Sequence, residues 1–148
     1  MENLAPLVIL LVEDDIADQK LIKASIRNEK IANELYCVQT GEDGMDFLYR
    51  RGNYSSGTPR PDLILLDLNM PGMGGKEFLR QVKEEESLKQ IPVVILTTSE
   101  AENDIIDSYK LQASGYVHKP VTLEEFKKAM KKLKEYWFVL CKLVPKED

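Results

Sequence analysis

The sequence contains few of the residues that bind transition metals or form disulfides. It has two cysteines, Cys37 and Cys141, and a single histidine, His118, in 148 residues. The cysteines are far apart and match no metal or redox spacing, so we expect two reduced, partly buried thiols. His118 has no second histidine beside it, which argues against a zinc-type site. We expect it to be an exposed surface residue.

Long apolar runs and an excess of positive charge are also missing. No segment approaches the ~20 apolar residues of a transmembrane helix, and the N-terminus does not resemble a signal peptide. The formal net charge is −5, which argues against a basic surface for nucleic acid. We therefore expect a soluble, cytoplasmic protein that binds neither membrane nor nucleic acid. Its length predicts one domain over residues 1–148.

Apolar runs alternate regularly with amphipathic helical patterns along the chain. The runs predict strands at 7–12, 34–40, 61–67, 91–96 and 115–117. They lack polar alternation, which indicates strands covered on both faces. Helical patterns begin at about 17, 41, 75, 99 and 122, the last two with capping-box spacing. This (βα)5 alternation predicts an α/β fold with a doubly wound, five-stranded parallel sheet of order 2-1-3-4-5, as in flavodoxin.

Polar residues follow four of these strands. Glu13 and Asp14 come after the first strand, Asp67 ends the third, Thr97 ends the fourth and Lys119 follows the fifth. In the predicted order these four strands are neighbours, so their carboxyl ends converge. Clustered carboxylates repel one another unless a cation compensates, and Mg²⁺ suits such a site.

The same residue types supply the parts of a phosphoryl-transfer site. An Asp beside Mg²⁺ is a workable nucleophile toward phosphorus, because the metal neutralises charge on the incoming group. A Thr hydroxyl can donate to one phosphoryl oxygen and a Lys ammonium can pair with another. The set is therefore suited to a reversible aspartyl phosphate on Asp67. The alternative for Asp67 alone is a turn-capping carboxylate, and for Asp15 a solvated turn residue or helix cap.

The chain resembles the receiver domain of two-component response regulators, the CheY-like fold. Four segments carry the resemblance, in the family's order and spacing, at 9–14, 66–72, 96–99 and 115–120. It implies a receiver core at about 7–135, with an extended C-terminal helix and tail at about 136–148. It also implies that Asp67 accepts a phosphoryl group from a histidine kinase. Such a protein is a signalling switch and not an enzyme, apart from its self-catalysed phosphoryl transfer and slow dephosphorylation.

The resemblance also implies a role for each polar residue of the site. Asp14 would be the more direct Mg²⁺ ligand, Glu13 would act mainly through water, and Asn69 would offer its backbone carbonyl. Thr97 would be the switch hydroxyl and Lys119 the phosphate-pairing lysine.

Two further features narrow the resemblance. Tyr116 would be the aromatic rotamer switch of the family. The long loop at 51–60 and the aromatic tail are similar to stand-alone receivers that serve phytochrome-type histidine kinases. A light-sensing pathway is therefore the expected context, with output through protein contacts to an unknown downstream partner.

The C-terminal helix carries more apolar surface than one sheet covers. Beyond the stripe that ends at Trp137, the tail is apolar almost all round, which is typical of an interface. We expect a homodimer through the fourth helix, fifth strand and fifth helix, with Trp137, Phe138 and Leu140 near its centre. The alternative is a tail that folds back over its own core.

Two other functions compete with the receiver hypothesis. A Mg²⁺-dependent phosphohydrolase of the haloacid-dehalogenase type also uses Asp, Thr or Ser, Lys and acids, but it needs a second Asp two positions after the nucleophile. Asn69 occupies that position here. The second competitor is a receiver fold that serves as a constitutive binding scaffold.

The glycines at 72, 74 and 75 lack the spacing of an ATP-binding loop and are expected to form turns.

Overall fold

Five strands and three α-helices make up the part of the chain that the structure describes. This computed structural model describes residues 7–27, 33–68, 70–97, 110, 112–118, 124 and 128. The elements are β1 (Leu7–Val12), α1 (Ile16–Arg27), β2 (Asn33–Val38), α2 (Gly41–Tyr49), β3 (Leu63–Asp67), α3 (Gly74–Glu84), β4 (Val93–Thr97) and β5 (Gly115–His118). Of the helices predicted from about 99 and 122, only residues 110, 124 and 128 are described, and each is helical. Within the described helices, none is long and apolar enough to cross a lipid bilayer.

All four strand pairings are parallel, and the strand order is β2-β1-β3-β4-β5. The predicted order 2-1-3-4-5 is therefore confirmed. β1 lies between β2 and β3: Val12 is opposite Val38 of β2 on one side and Leu66 of β3 on the other. On the far side of β3, Asp67 pairs with Leu96 of β4. The carboxyl ends of β1, β3 and β4 consequently lie side by side.

Apolar side chains cover both faces of the sheet, as the runs without polar alternation predict. Successive residues of a strand point to opposite faces, so each strand contributes to two cores. One core includes Leu10, Val12, Ile64, Leu66, Met45, Phe47, Phe78, Leu79 and Val82. The other includes Ile9, Leu11, Ile22, Leu63, Leu65, Val94, Leu96 and Val117. β1 and β3 are buried on both faces, which holds their carboxyl ends rigidly.

Four of the five strands have boundaries that differ from the predicted ones; β3, for example, begins at Leu63 and not at residue 61. β2 ends at Val38 and not at residue 40, because Thr40 is the N-cap of α2: its Oγ1 accepts a hydrogen bond from Asp43 N at 3.0 Å. β4 begins at Val93 and not at residue 91, since Pro92 has no N–H to donate to a ladder. β5 extends one residue further, to His118.

The loop predicted at 51–60 is partly ordered by packing on α2. It contains one turn of 3₁₀-helix, Gly52–Tyr54. The ring of Tyr54 lies edge-on to that of Phe47 with 5.3 Å between centroids, and Thr58 Oγ1 donates to Phe47 O at 2.8 Å.

Cys37 is a free, partly buried thiol, as expected, and burial raises its pKa. Cys141 lies outside the described residues.

Candidate functional site

Three carboxylates meet at the carboxyl edge of the sheet. Glu13, Asp14 and Asp67 each present an oxygen within 4.8 Å of the other two. Glu13 is 0% exposed and Asp67 3% exposed, whereas Asp14 faces solvent. The structure thus brings together the three acids that the sequence predicts as neighbours. Two of them are buried, and the third opens the cluster to water.

The register of β1 and β3 produces this meeting. The paired residues run from Ile9 opposite Leu63 to Val12 opposite Leu66. Glu13 and Asp67 are the next residues on each strand, so they leave the sheet at the same level. Leu68 N also donates to Leu96 O at 3.3 Å, which ties the end of β3 to β4. Asp67 therefore sits on a backbone that is fixed from both sides.

The acidic turn after β1 is held by its own hydrogen bonds. Glu13 N donates to Val38 O at 3.0 Å, so the turn begins while still attached to β2. Asp15 N donates to Glu13 Oε2 at 3.2 Å. Asp15 Oδ1 accepts from Asp18 N at 3.0 Å and caps α1, as one of the sequence-based alternatives predicts. Glu13 and Asp14 are thereby left for the site.

The loop from β3 to α3 passes very close to Asp67, which the sequence analysis missed. Gly72 and Gly74 have φ of +74° and +75°, so the prediction of turn glycines is confirmed for them. Gly75 is needed for space: a Cβ there would lie 2.4 Å from Asp67 O and 2.5 Å from Leu68 Cα. Gly75 N also donates to Leu68 O at 3.2 Å. The first turn of α3 is thus packed on the backbone that carries Asp67.

The other predicted site residues are only partly described. Thr97 is the last residue of β4, so its backbone lies at the carboxyl edge on the strand next to Asp67. Tyr116 lies in β5, where it pairs with Ile95. Asn69 and Lys119 lie outside the described residues, as do the predicted interface residues Trp137, Phe138 and Leu140.

The donor set fits a hard divalent cation. Mg²⁺ takes oxygen ligands at about 2.1 Å in an octahedron, which separates ligand oxygens by about 3–4 Å. The three carboxylates nearly meet that spacing, and exposed Asp14 leaves room for the water ligands that Mg²⁺ retains. Two buried carboxylates beside a third also need compensating positive charge. The residues present can therefore hold Mg²⁺ or a similar ion.

A parallel sheet of order 2-1-3-4-5 with an acidic carboxyl edge defines a doubly wound α/β domain of the flavodoxin-like class. The family model described as "Response regulator receiver domain" matches residues 9–131. The chain belongs to this family.

Individual relatives agree with the family match. Response regulator Rcp1 of Synechocystis sp. is 42% identical over 136 residues, which cover 92% of each chain. The probable methanogenesis regulatory protein FilR2 of Methanothrix harundinacea is 36% identical over 89% of this chain and 84% of its own.

Solved structures of related proteins have the same fold. The Mn²⁺-bound form of Rcp1 superposes with a TM-score of 0.77 at 42% identity, covering 89% of this chain and 94% of that one. The phosphorylated cyanobacterial phytochrome response regulator RcpA gives 0.78 at 40% identity, covering 90% and 95%. The bacteriophytochrome response regulator RtBRR gives 0.80 at 39% identity, covering 87% and 78%. The chain thus resembles phytochrome response regulators in sequence and in fold.

Proposed function

We propose that the protein is a phosphorylation-controlled switch in which Asp67 accepts a phosphoryl group from a histidine kinase. The observation that carries this proposal is the burial of Asp67 at the carboxyl edge of the sheet, within 4.8 Å of two further carboxylates. A carboxylate in that setting is held rigidly beside two other negative charges, which a bound cation would compensate. Membership of the receiver family supports the same assignment.

Asp14, Glu13 and the backbone carbonyl of Asn69 would hold Mg²⁺ next to Asp67, with Glu13 acting mainly through water. Bound Mg²⁺ supplies charge neutralisation for the phosphoryl oxygens. An Asp67 oxygen attacks phosphorus, the P–N bond to the kinase histidine breaks, and the imidazole leaves with that electron pair. Thr97 would then donate a hydrogen bond to one phosphoryl oxygen, and the Lys119 ammonium would pair with another. Related proteins support a divalent cation and a phosphoryl group at such a site, since Rcp1 is known in an Mn²⁺-bound form and RcpA in a phosphorylated form.

The kinase partner is proposed to be of the phytochrome type. RcpA and RtBRR are described as phytochrome and bacteriophytochrome response regulators, and they are 40% and 39% identical to this chain. The test is phosphotransfer from a phytochrome-type kinase and from a histidine kinase of another sensor class. Faster transfer from the phytochrome-type kinase is expected, and equal rates would contradict the link.

Output is proposed to pass through the face formed by the fourth helix, β5 and the fifth helix, to a protein partner or a second copy. Thr97 and Tyr116 would carry the change to this face. Sedimentation of a variant with Trp137→Glu and Leu140→Glu tests the homodimer, with Lys89→Glu on an exposed turn as the control. A dimeric wild type and a monomeric double variant are expected, and an unchanged oligomeric state would contradict the interface.

The phosphoacceptor is tested with acetyl phosphate and Mg²⁺, followed by intact-mass measurement. The wild type should gain one phosphoryl group, and Asp67→Asn should gain none. Asp62→Asn is a matched control, because Asp62 is also buried but lies just before β3, at the opposite end of the strand from Asp67. It should still be modified, and removal of divalent ions with EDTA should stop the reaction in both. Continuous phosphate release would favour the hydrolase, and no modification of the wild type would favour the scaffold.

A further inference from the structure

A buried amide on α1 contacts the acidic turn. Gln19 is 7% exposed, and its Nε2 donates to Glu13 O at 2.6 Å. Gln19 lies three residues before Ile22, which is fully buried on the same side of the helix. An apolar residue would fill such a position without any need for a polar partner. The bond to Glu13 O therefore accounts for an amide here.

This bond restrains the backbone of Asp14, which is the exposed carboxylate of the cluster. Glu13 O belongs to the peptide group between Glu13 and Asp14, and that group is planar. Fixing the carbonyl oxygen therefore also fixes the direction of the Asp14 N–H and the position of the Asp14 Cα. Asp14 is exposed, so neighbouring side chains restrain it less than they restrain the buried Glu13 and Asp67.

The opposite end of Glu13 is tied to another element. Glu13 N donates to Val38 O at 3.0 Å, while Glu13 O accepts from Gln19. The backbone of Glu13 is thus fastened to β2 through its N–H and to α1 through its C=O. Two anchors on different elements leave the turn little freedom to tilt.

We propose that Gln19 is a positioning residue for the divalent-cation site, acting through the Glu13–Asp14 peptide group. The proposal rests on the proposed function only in taking Glu13, Asp14 and Asp67 as the cation site. Without the Gln19 bond, the peptide group rotates more freely and Asp14 must be ordered when the cation binds. Affinity for the cation then falls although every ligand is still present. Outer-sphere bonds of this kind typically affect metal affinity by about 10-fold or more.

The test compares Mg²⁺ affinity, measured by competition with Mn²⁺, across a set of matched variants. Gln19→Met keeps the length of the side chain but cannot donate, and Gln19→Leu is a second apolar replacement in case the first does not fold. Both should weaken Mg²⁺ binding about 10-fold. Gln19→His at pH 8 keeps a donor at a similar reach and should restore most of the affinity. Ala24→Leu, at an exposed position of the same helix, is the control and should leave the affinity unchanged.

A metal-free measurement separates positioning from general stability. In the absence of divalent ions, amide hydrogen exchange of Asp14 and Asp15 should speed up in Gln19→Met, while the core strands keep wild-type protection. Wild-type affinity in the folded apolar variants would overturn the proposal, and so would an exchange increase spread over the whole sheet. If the wild type binds no Mg²⁺, or if Asp67→Asn and Asp14→Asn bind it as tightly as the wild type does, then the site assignment under the proposed function is wrong instead.

Discussion

Two aspartates in the same stretch of chain show how partners decide the role of a buried carboxylate. Asp62 precedes β3 and is 6% exposed; Asp67 ends β3 and is 3% exposed. Asp62 is bonded to β1 in both directions: Val8 N donates to its Oδ2 at 2.8 Å, and its own N donates to Val8 O at 2.7 Å. Asp67 is instead gathered with Glu13 and Asp14.

The spacing is the same on both strands. Asp67 lies five positions after Asp62, and Glu13 lies five positions after Val8. The amino edge of the β1–β3 pair thus joins a carboxylate to a backbone donor, while the carboxyl edge joins carboxylates to one another. A carboxylate bonded to an amide locks the register, and a carboxylate beside other carboxylates requires a cation. The first arrangement stabilises the fold, whereas repulsion among the carboxylates of the second lowers stability unless a cation binds.

A second charged group at the amino edge, like Asp62, forms hydrogen bonds with backbone groups. Lys83, near the end of α3, donates from Nζ to Lys89 O at 2.9 Å and to Ile91 O at 2.7 Å. These carbonyls lie just before β4. Burial lowers the pKa of Lys83 to about 8. Like Asp62, it ties backbone segments together at the end of the sheet opposite to the acidic cluster.

The largest effect is expected from Gly75→Ala, which tests how closely α3 packs on the backbone of Asp67. In an ordinary helix this change stabilises by about 1 kcal/mol. Here the added Cβ would lie 2.4 Å from Asp67 O, so the chain must move at the site. We expect a loss of about 3 kcal/mol in the free energy of unfolding, measured with urea, together with loss of phosphorylation.

Gly115→Ala is the matched control for that change. A Cβ at Gly115 meets nothing within 4 Å, and its φ is not in the left-handed region. It should change stability by less than about 1 kcal/mol and leave phosphorylation intact. Equal effects of the two substitutions would contradict the close approach of α3 to Asp67.

The amino edge is tested by Asp62→Ala and Asp62→Asn. Alanine leaves the buried N–H of Val8 without the carboxylate oxygen, which should cost about 2 kcal/mol of unfolding free energy. Asparagine keeps an acceptor oxygen and should cost clearly less. Urea unfolding measures both. If alanine costs no more than asparagine, the bond to Val8 does not carry the stability assigned to it.

Mg²⁺ should stabilise the protein only through the carboxylates at the carboxyl edge of the sheet. At a Mg²⁺ concentration ten times its dissociation constant, the wild type should gain about 1.4 kcal/mol of unfolding free energy. Asp62→Asn should gain the same amount, and Asp67→Asn should gain much less. Without Mg²⁺, Asp67→Asn should be as stable as the wild type or up to about 1 kcal/mol more stable, because one negative charge is removed from the cluster. A metal-free loss of stability would contradict that reasoning.

The smallest expected effect concerns Lys83. Its pKa in the folded protein is about 8, below the ordinary value of 10.5, so the unfolded chain binds more protons between these two pH values. The contribution of Lys83 to stability should therefore rise as pH increases from about 8 to 10.5, and should be flat below 8. Unfolding of the wild type and Lys83→Met across this range measures the difference. A difference that stays constant with pH would show that the ammonium is well solvated.

The sequence predicted the sheet and the acidic cluster because both depend on features that are local to the chain. Apolar runs without polar alternation identify buried parallel strands, and the order of a doubly wound sheet then brings the end of β1 beside the end of β3. Glu13, Asp14 and Asp67 follow directly from those two facts.

What the sequence did not predict depends on distances between segments. Asp62 before a strand has the same local pattern as a turn cap, and only the register reveals its bond to Val8. Gly75 looks like a turn glycine until α3 is packed on Asp67 O. Gln19 reads as a surface polar residue of α1, although it is buried against Glu13 O. Thr40 was predicted to be the last residue of a strand but serves as a helix cap.

The most direct test of Asp67 as the phosphoacceptor is to locate the phosphoryl group chemically. After reaction with acetyl phosphate and Mg²⁺, borohydride reduces an aspartyl phosphate to homoserine, and peptide mass mapping then identifies the modified position. If Asp67 is the phosphoacceptor, homoserine should appear at residue 67 in the wild type and in Asp62→Asn, and should be absent from Asp67→Asn. Homoserine at position 14 or 62, or modification that persists in Asp67→Asn, would contradict it.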